Sequence, residues 1–352
     1  MSSLPLLDQL EGPPSAFVGI ARLAAEGQSL SAGHQVEYFT LGSRSLLNRC
    51  TAPRLPFTWT INPYRGCEFA CKYCYARYTH EFMELGGEDF EHKIYVKQKA
   101  AELLRRDLRR VKPGEEIAIG TATDPYQPAE RRFQVTRAIL EVFARCEGMD
   151  IGMVTKSDLV LRDVELLRQI ASQNELFVNL TITTLDPRLA RILEPRAPRP
   201  DLRLGAVREL NENGVPAGVI CAPVVPGITD APPGLDALVK ATKEAGGRYI
   251  FANPLFLKPC SAAIFLPWLE KEFPQLVDNY RKRYAERAFV SAPYRKWISA
   301  LMARLRRKHG LARPEDYNRH AEEAEAGDKC AAPRERARRP PKPPASSQLT
   351  LF

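Results

Sequence analysis

Residues 57–75 of the chain read FTWTINPYRGCEFACKYCY. The first eight letters are rich in β-branched and aromatic residues and predict a strand. Three cysteines follow with the spacing C-x3-C-x2-C, at Cys67, Cys71 and Cys74. Three thiols so close in sequence converge only if the chain wraps around one object, and Gly66 gives the backbone the freedom to enter such a loop. The stretch therefore predicts a strand followed by a metal-binding loop.

The cysteine triplet is compatible with two kinds of metal site. Thiolates are ligands of zinc and of iron–sulfur clusters. Structural zinc usually takes four ligands as two separated pairs, and no second pair is present. A [4Fe–4S] cluster held by three cysteines leaves one iron open, and that iron can bind the amino and carboxylate groups of S-adenosylmethionine (SAM). The residues favour the cluster, with zinc or a chance grouping as the alternatives.

A repeat of short apolar strand and amphipathic helix covers most of the chain. Strand candidates occupy 57–64, 116–122, 151–157, 177–183, 217–225 and 249–257. Helix candidates with apolar residues at i, i+3 and i+4 occupy 100–110, 135–146, 161–171 and 202–214. Six strand-then-helix units predict an α/β fold with a parallel sheet, either doubly wound or an incomplete barrel. In both folds, ligands bind at the C-terminal ends of the strands.

Composition limits the class of protein. The chain has 352 residues, 44% of them hydrophobic, which is enough for a large core. No apolar run reaches the roughly 18 residues that a membrane span needs, and the N-terminal segment lacks the pattern of a signal peptide. Eight cysteines are too sparse for a disulfide scaffold. We therefore expect a cytoplasmic protein that does not bind membranes.

Positive charge is concentrated toward the C-terminal end. The whole chain carries a net charge of +9, and residues 280–310 alone contain ten Lys or Arg and a single acid, Glu286. Residues 327–352 add a net +4, so the rest of the chain is slightly acidic. A basic face on a nearly neutral body predicts binding of a polyanion such as DNA. A solvated surface helix with an ordinary basic bias is the alternative.

These patterns divide the chain into four segments. We expect a loosely ordered N-terminal extension over 1–45, a partial barrel over 46–275, a basic helical C-terminal extension over 276–326, and a tail over 327–352. The tail is rich in Pro, Arg and Ser, a composition that predicts disorder because it cannot build a core.

The wider motif pattern resembles a known family. The C-x3-C-x2-C loop, with an aromatic residue before the third cysteine and a six-unit β/α chain behind it, resembles the radical SAM superfamily. The segments WTINPYRGC at 59–67, GTATDPYQP at 120–128 and VTKS at 154–157 resemble its spore photoproduct lyase-like branch, also labelled DNA repair photolyase-like. The resemblance extends from about residue 45 to 300. It implies an α/β fold in the form of an incomplete (β/α)6 radical SAM barrel.

The resemblance also implies cofactors and a reaction. A [4Fe–4S] cluster would be held by Cys67, Cys71 and Cys74, with SAM on its open iron. A reductant such as flavodoxin or ferredoxin supplies an electron, SAM is cleaved, and a 5′-deoxyadenosyl radical abstracts a hydrogen atom from the substrate. The protein supplies ligation, orientation and exclusion of water.

Residues that bind SAM are implied by the family pattern. Tyr73 would lie with its backbone near the adenine, Thr123 and Asp124 would meet the amino group, Lys156 the carboxylate, and Thr181 the ribose. The plainer alternatives are a turn role for Asp124 before its proline and a surface role for Lys156.

The hydrogen donor departs from the family pattern. Tyr73 and Tyr75 match tyrosines proposed to relay a hydrogen atom in spore photoproduct lyase, with packing around the cluster as the alternative. That lyase also uses a cysteine after the second strand, and the matching position here is Thr121. A hydroxyl is a far poorer hydrogen-atom donor than a thiol. Cys221 or Cys260 could substitute if either faces the cavity, although each could equally be an ordinary core or loop cysteine.

The last five residues printed are Gln348-Leu349-Thr350-Leu351-Phe352. They resemble the peptide by which bacterial proteins bind the sliding clamp, with Gln348, Leu349, Leu351 and Phe352 as the contact residues. An extended peptide on a flexible leash can place its Gln in a polar niche and its Leu and Phe in an apolar pocket. A chance apolar end is the alternative.

Taken together, the sequence predicts a radical SAM enzyme that acts on DNA, in base-lesion repair. Two alternatives remain open at this point. The same cofactor chemistry could act on RNA, protein or a small molecule, or the chain could be a non-enzymatic iron–sulfur sensor that associates with the clamp.

Overall fold

Eleven strands form two sheets in the computed structural model, which describes residues 17–33, 36–51 and 55–312. In chain order the strands are β1 (Ser29–Gly33), β2 (Val36–Leu41), β3 (Leu47–Arg49), β4 (Trp59–Ile61), β5 (Tyr64–Arg65), β6 (Lys93–Lys97), β7 (Glu116–Ile119), β8 (Asp150–Thr155), β9 (Glu175–Thr181), β10 (Ala217–Val224) and β11 (Ile250–Pro254). The larger sheet has the order β11-β10-β9-β8-β7-β4-β3, and the smaller has the order β1-β2-β6-β5.

Helices connect and cover the strands. They are α1 (Gly19–Ala25), α2 (Tyr78–Glu81), α3 (Ala100–Asp107), α4 (Ala129–Phe133), α5 (Val135–Phe143), α6 (Val164–Ala171), α7 (Pro187–Leu193), α8 (Pro200–Glu212), α9 (Pro232–Glu244), α10 (Pro259–Glu272), α11 (Val277–Arg283) and α12 (Ala292–His309). Single 3-10 turns occupy Tyr75–Arg77, Gly87–Glu91, Leu108–Arg110, Asp158–Asp163 and Pro274–Leu276.

The larger sheet confirms the predicted α/β class. Its strands β4, β7, β8, β9, β10 and β11 follow one another across the sheet in chain order and pair in parallel. Each overlaps one of the six predicted strand segments, with β8 beginning one residue and β9 two residues before its segment. β3 adds an antiparallel edge beside β4. Since the strands run in parallel, their C-terminal ends share one edge of the sheet, as the sequence predicts for a ligand site.

Alternate side chains of the parallel strands are buried in the main apolar core. On β8, Ile151 and Met153 are fully buried and pack with Leu140 and Leu167 of the covering helices. Burial of each such side chain contributes about 1.5–3 kcal/mol, which is why the sheet needs helices on this face. Lys156 directly follows the last residue of β8, at the edge of the sheet where the parallel strands end.

The smaller sheet occupies part of the predicted N-terminal extension. β1 and β2 form a hairpin, β2 lies parallel to β6, and β6 lies antiparallel to β5. Residues 19–25, 29–33 and 36–41 are therefore helix and strand, although we expected a loosely ordered extension over 1–45. The sequence did not reveal this because β2 finds its partner β6 more than fifty residues along the chain, which no local pattern records.

The C-terminal basic segment contains a long helix. α12 begins after Ser291, whose hydroxyl caps the helix by accepting a hydrogen bond from the backbone N–H of Tyr294 at 3.5 Å, and it ends at Gly310 with φ of +63°. Its apolar stripe of Ile298, Leu301, Met302 and Leu305 is buried against α9 and β11. The described part of the expected extension 276–326 therefore packs onto the same compact unit as the sheet.

Two further expectations concern the C-terminal tail and membrane-spanning helices. The predicted tail, residues 327–352, lies outside the described residues. Within the described ranges, none of the helices is both long enough and apolar enough to cross a membrane.

Candidate cluster and cofactor site

The three cysteines lie on the loop between β5 and the 3-10 turn at Tyr75–Arg77. Cys67 and Cys71 are buried and Cys74 is partly buried. Burial raises the pKa of Cys67, and the nearby Cys71 and Cys74 raise it further, so the three sulfurs share one electrostatic environment. Burial likewise raises the pKa of Cys71 to about 12. Burial therefore favours the neutral thiols, and a bound metal centre would stabilise the thiolates.

The donor set fits a cluster better than a single ion. Across residues 17–33, 36–51 and 55–312, no three His, Cys, Asp or Glu side chains lie close enough together to hold one metal ion. The three thiolates of a [4Fe–4S] cluster bind three different irons and lie farther apart than the ligands of one ion. Three buried sulfurs on one wrapped loop match that arrangement and disfavour the zinc alternative.

Gly66 sets the entry to the loop. Its φ is +84°, and a Cβ here would lie 2.7 Å from the Lys93 carbonyl oxygen and 2.9 Å from the Phe90 carbonyl oxygen. The backbone N–H of Cys67 donates to that same Phe90 oxygen at 2.8 Å. A side chain at position 66 would therefore push apart the contact that positions the first cysteine.

Buried donors fix the carbonyl groups of the other two cysteines. The Arg77 guanidinium is fully buried and donates to the Cys71 oxygen at 3.3 Å, while it also pairs with Glu91. The Ser261 hydroxyl on α10 donates to the Cys74 oxygen at 2.8 Å. Because these partners come from distant parts of the chain, the loop is held by the fold and not by its own turn alone.

Thr123 and Asp124 hydrogen-bond to the cysteine loop and to the end of β8, respectively. The Thr123 hydroxyl donates to the Gly66 carbonyl at 2.6 Å and so braces the entry of the cysteine loop. The Asp124 carboxylate accepts from the Thr155 hydroxyl at 2.7 Å and from the Lys156 backbone N–H at 2.7 Å. Asp124 thus ties the end of β7 to the end of β8, in line with the turn role left open for it.

Lys156 points its ammonium toward the cysteine loop. Its Nζ lies 5.7 Å from the centroid of the Tyr73 ring. Burial opposes the charge, but Cys71, Glu194 and Asp124 outweigh it and raise the pKa of Lys156. The side chain is therefore a charged group beside the cluster loop at the C-terminal end of a parallel strand, which suits it to an anionic ligand.

A buried ion pair beneath Tyr73 was missed by the sequence reasoning. The Tyr73 hydroxyl donates to Glu194, and Glu194 pairs with Arg203 at 2.5 Å. Arg203 in turn donates to the backbone oxygen of Thr181 at 2.9 Å. Burial opposes ionisation, but Arg203 and then Lys156 hold the pKa of Glu194 below its usual range. One charged network therefore joins the loop before the third cysteine to the end of β9.

A signal for half of this pair was present in the sequence. Arg203 sits three, four and seven residues before Ala206, Val207 and Leu210, so it occupies the apolar face of the predicted helix over 202–214. A charged residue on an apolar stripe predicts a buried partner. The sequence around Glu194 gives no comparable indication of which acid that partner is.

The candidate hydrogen donors fall in different places. Tyr75 is 43% exposed and donates its hydroxyl to the Thr121 carbonyl, while the Asn62 amide donates to the Thr121 hydroxyl at 3.2 Å. Cys221 is fully buried in the main apolar core beneath the helices. Cys260 is partly exposed at the start of α10, next to the serine that contacts Cys74.

The structure thus gathers most of the predicted site on one edge of the sheet. Around the three cysteines lie Tyr73, Tyr75, Thr123, Asp124, Lys156 and Cys260, with Thr181 joined through its backbone. Cys221 packs in the core instead. The partner-binding residues Gln348, Leu349, Leu351 and Phe352 lie outside the described residues.

Comparison with known proteins agrees with this site. The family model described as Radical SAM superfamily matches residues 61–235, which contain the cysteine loop, four of the six parallel strands and the last residue of β4. An uncharacterized protein of Mycobacterium tuberculosis is 36% identical over 272 residues, covering 76% of this chain and 80% of its own. An uncharacterized protein of Methanocaldococcus jannaschii is 28% identical over 256 residues, covering 73% of this chain and 91% of its own.

Solved structures share the fold. A spore photoproduct lyase variant with bound AdoMet and dinucleoside spore photoproduct superposes with a TM-score of 0.60 at 15% identity, over 77% of this chain and 79% of that one. At this identity the likeness establishes a common fold. Radical SAM enzymes use a [4Fe–4S] cluster and SAM, the two groups that the cysteine loop and its surroundings fit. With its family match and its three-cysteine loop at the carboxyl ends of a parallel sheet, the chain belongs to the radical SAM superfamily.

Proposed function

We propose that this radical SAM enzyme acts on DNA and repairs a base lesion. When bound, the cluster and SAM supply the reductive cleavage that yields a 5′-deoxyadenosyl radical. The observation that carries the choice of DNA is the exposed basic face of α11 and α12 and the turn between them. Its exposed cationic residues are Arg281, Lys282, Arg287, Arg295, Lys296, Arg304, Arg307 and Lys308. The fold shared with a lyase whose structure holds a dinucleoside photoproduct supports the same substrate class.

Aromatic side chains accompany this basic face. Trp297 is 43% exposed and lies with its ring centroid 5.5 Å from that of Tyr294. The Arg283 guanidinium carbon lies over the Tyr294 ring, 4.9 Å from its centroid. Phosphate binding by cations together with an exposed indole for base contacts is a pattern typical of nucleic-acid surfaces.

The chain's own residues would hold and shield the cofactors. Lys156 would bind the SAM carboxylate, since it is a charged group beside Cys71 with no carboxylate bonded to its ammonium among the described residues. Thr123 and Asp124 would orient the amino-group side of the site through the loop and strand ends that they brace. Thr181 would lie near the ribose. A flavodoxin or ferredoxin would deliver the electron.

Salt dependence tests the basic face directly. The logarithm of the DNA association constant should fall with the logarithm of salt with a slope of about −0.9 per phosphate neutralised. Removing two contacts with Arg295→Gln and Lys296→Gln should therefore reduce the slope by about 2. The matched control replaces two exposed arginines elsewhere, Arg145 and Arg208, with glutamine, and it should leave the slope unchanged. Equal slopes for both double variants would remove the basis for the DNA assignment.

Turnover tests the repair reaction. We would measure 5′-deoxyadenosine formed from SAM by the anaerobically reconstituted, dithionite-reduced protein, with and without UV-irradiated DNA. Stimulation by irradiated DNA, coupled to loss of the lesion, is the expected result. If DNA does not change the rate of 5′-deoxyadenosine formation, the substrate would instead be RNA, protein or a small molecule.

We also propose that the terminal pentapeptide binds the bacterial sliding clamp and recruits the enzyme to DNA. The proposal depends on the sequence alone, because Gln348–Phe352 lies outside the described residues. Purified clamp should bind the full chain and lose binding when Leu351 and Phe352 are both replaced by alanine. Alanine at Ser346 and Ser347, just before the motif, is the matched control. Unchanged clamp binding after the first replacement would exclude this role.

A further inference from the structure

Three aromatic side chains form a row that begins at the cysteine loop. Tyr75 directly follows Cys74, and its ring centroid lies 6.4 Å from that of Phe256. The Phe256 centroid in turn lies 4.5 Å from that of Phe289. Tyr75 is 43% exposed and Phe289 is 49% exposed, while Phe256 between them is partly exposed. We call Tyr75, Phe256 and Phe289 the aromatic row.

The backbone fixes the place of the two phenylalanine rings. Phe256 comes two residues after the end of β11, at the edge of the sheet where the parallel strands end. It pairs with Phe289 in an antiparallel bridge, and the backbone N–H of Leu257 donates to the Ala288 oxygen at 2.9 Å. Leu257 itself is buried. The two exposed rings are therefore held side by side by paired backbone segments with a buried residue beneath them.

One end of the aromatic row lies within the basic face of α11, α12 and the turn between them. Phe289 belongs to that turn and comes two residues after Arg287, one of the exposed cations of the face. The other end is Tyr75, beside the third cysteine. The row therefore joins the surface that would bind phosphates to the loop that would hold the cluster, through ring-to-ring distances of 4.5 and 6.4 Å.

The chemistry of the row and its surroundings fits a nucleotide. Aromatic rings gathered in the solvent are unfavourable, and an exposed apolar patch rimmed by charged residues is typical of a binding surface. A nucleotide combines a flat ring that stacks on aromatic side chains with a phosphate that binds cations such as Arg287. An apolar peptide would cover the rings but would gain nothing from the basic face. A base inside duplex DNA has its faces covered by its neighbours, so it must leave the stack before it can contact the row.

We propose that the aromatic row stacks an unpaired base of the DNA strand and so holds that strand at the cysteine loop. The inference deepens the proposed function and depends on it for DNA as the substrate. It adds that the enzyme takes a nucleotide from single-stranded or locally opened DNA. Phe256 and Phe289 would contact the base directly, while the basic face would hold the adjoining phosphates.

The test compares two oligomers of equal length and charge. The cluster-loaded full chain is titrated with single-stranded oligothymidylate and with an abasic oligomer that carries tetrahydrofuran in place of every nucleoside. We expect the wild type to bind oligothymidylate about 10-fold or more tightly than the abasic oligomer, as stacking of a base on aromatic rings predicts. The double replacement Phe256→Leu with Phe289→Leu should reduce that preference about 10-fold and leave the salt dependence unchanged, because leucine is apolar but has no ring.

A matched control uses another partly exposed phenylalanine that contacts an aromatic ring. Phe177 lies near the start of β9, away from the carboxyl ends of the strands, with its centroid 6.3 Å from that of Tyr249. Phe177→Leu should keep the preference for oligothymidylate. If the double variant does not fold, Phe289→Leu alone gives the same comparison, since its ring is the more exposed of the two.

Photochemical cross-linking locates the base in the wild-type protein without any substitution. Oligothymidylate that carries 5-iodouracil is irradiated in the complex, and peptide mass spectrometry should identify Tyr75, Phe256 or Phe289 as the cross-linked residue. Cross-links confined to other residues, or an unchanged preference in the double variant, would overturn the aromatic row while salt-dependent binding still supports DNA as the substrate. If neither oligomer binds in a salt-dependent way, the row and the DNA assignment are both wrong.

Discussion

Glu194→Gln removes the negative charge that neutralises Arg203 in the interior of the protein. Both side chains are 1% exposed, and they pair at 2.5 Å. Glutamine has nearly the same volume, so the substitution creates no cavity. Removing one partner of a buried ion pair destabilises a protein by about 3–5 kcal/mol, because the remaining charge stays buried.

A weaker hydrogen bond from Tyr73 adds a smaller loss of folding stability. Its hydroxyl donates to the Glu194 carboxylate, and a neutral amide oxygen is a weaker acceptor by about 1 kcal/mol. The combined loss of about 4–6 kcal/mol is a large share of the roughly 5–15 kcal/mol that holds a protein folded. With a urea dependence of about 3 kcal/mol per molar, the unfolding midpoint should fall by about 1.3–2 M.

Urea unfolding of the cluster-loaded protein, followed by far-UV circular dichroism, measures this shift. Glu209→Gln, at an exposed position on α8, is the matched control and should leave the midpoint in place. The double replacement Glu194→Met with Arg203→Met should recover much of the loss, because apolar groups remove both buried charges together. A Glu194→Gln midpoint within about 0.3 M of the control would refute the reasoning from buried charge.

Three further predictions concern the cysteine loop and its surroundings. Gly66→Ala should prevent stable cluster loading, measured as iron and sulfide per chain, because its Cβ would lie 2.7 Å from a carbonyl oxygen at a φ of +84°. Lys156→Met should weaken SAM binding about 10-fold or more in calorimetry while cluster content is unchanged, since one charge-assisted bond is lost. Burial lowers the pKa of His80 to about 4. The unfolded histidine binds a proton near pH 6.5, so stability should fall by roughly 3 kcal/mol between pH 6.5 and 4, and His80→Phe should flatten that part of the pH profile.

The parallel sheet is the part of the fold that local sequence reveals best. Its strands are short runs in which apolar residues pack under the helices, as on β8, where the alternate residues Ile151 and Met153 are fully buried. Short β-branched and apolar runs of this kind are typical of a sheet that helices cover. The cysteine loop is equally visible because its spacing has few alternative explanations.

The features that sequence misses depend on long-range contacts. β2 pairs with β6 far along the chain, and Glu194 meets Arg203 only after α7 and α8 have folded. The single charged residue Arg203 on an apolar helix face predicts a buried partner but does not identify it.

The candidate thiols differ in how well they could return a hydrogen atom to a substrate radical. The family resemblance implies a thiol at the position of Thr121, which offers only a hydroxyl, and Cys221 is fully buried in the core. Cys260 is partly exposed at the start of α10, next to Ser261, whose hydroxyl donates to the Cys74 carbonyl. A substrate held at the cysteine loop could therefore reach Cys260 without any rearrangement of the core, whereas Cys221 would first have to be uncovered. If a thiol returns the hydrogen atom in the proposed reaction, Cys260 is therefore the better candidate for that role.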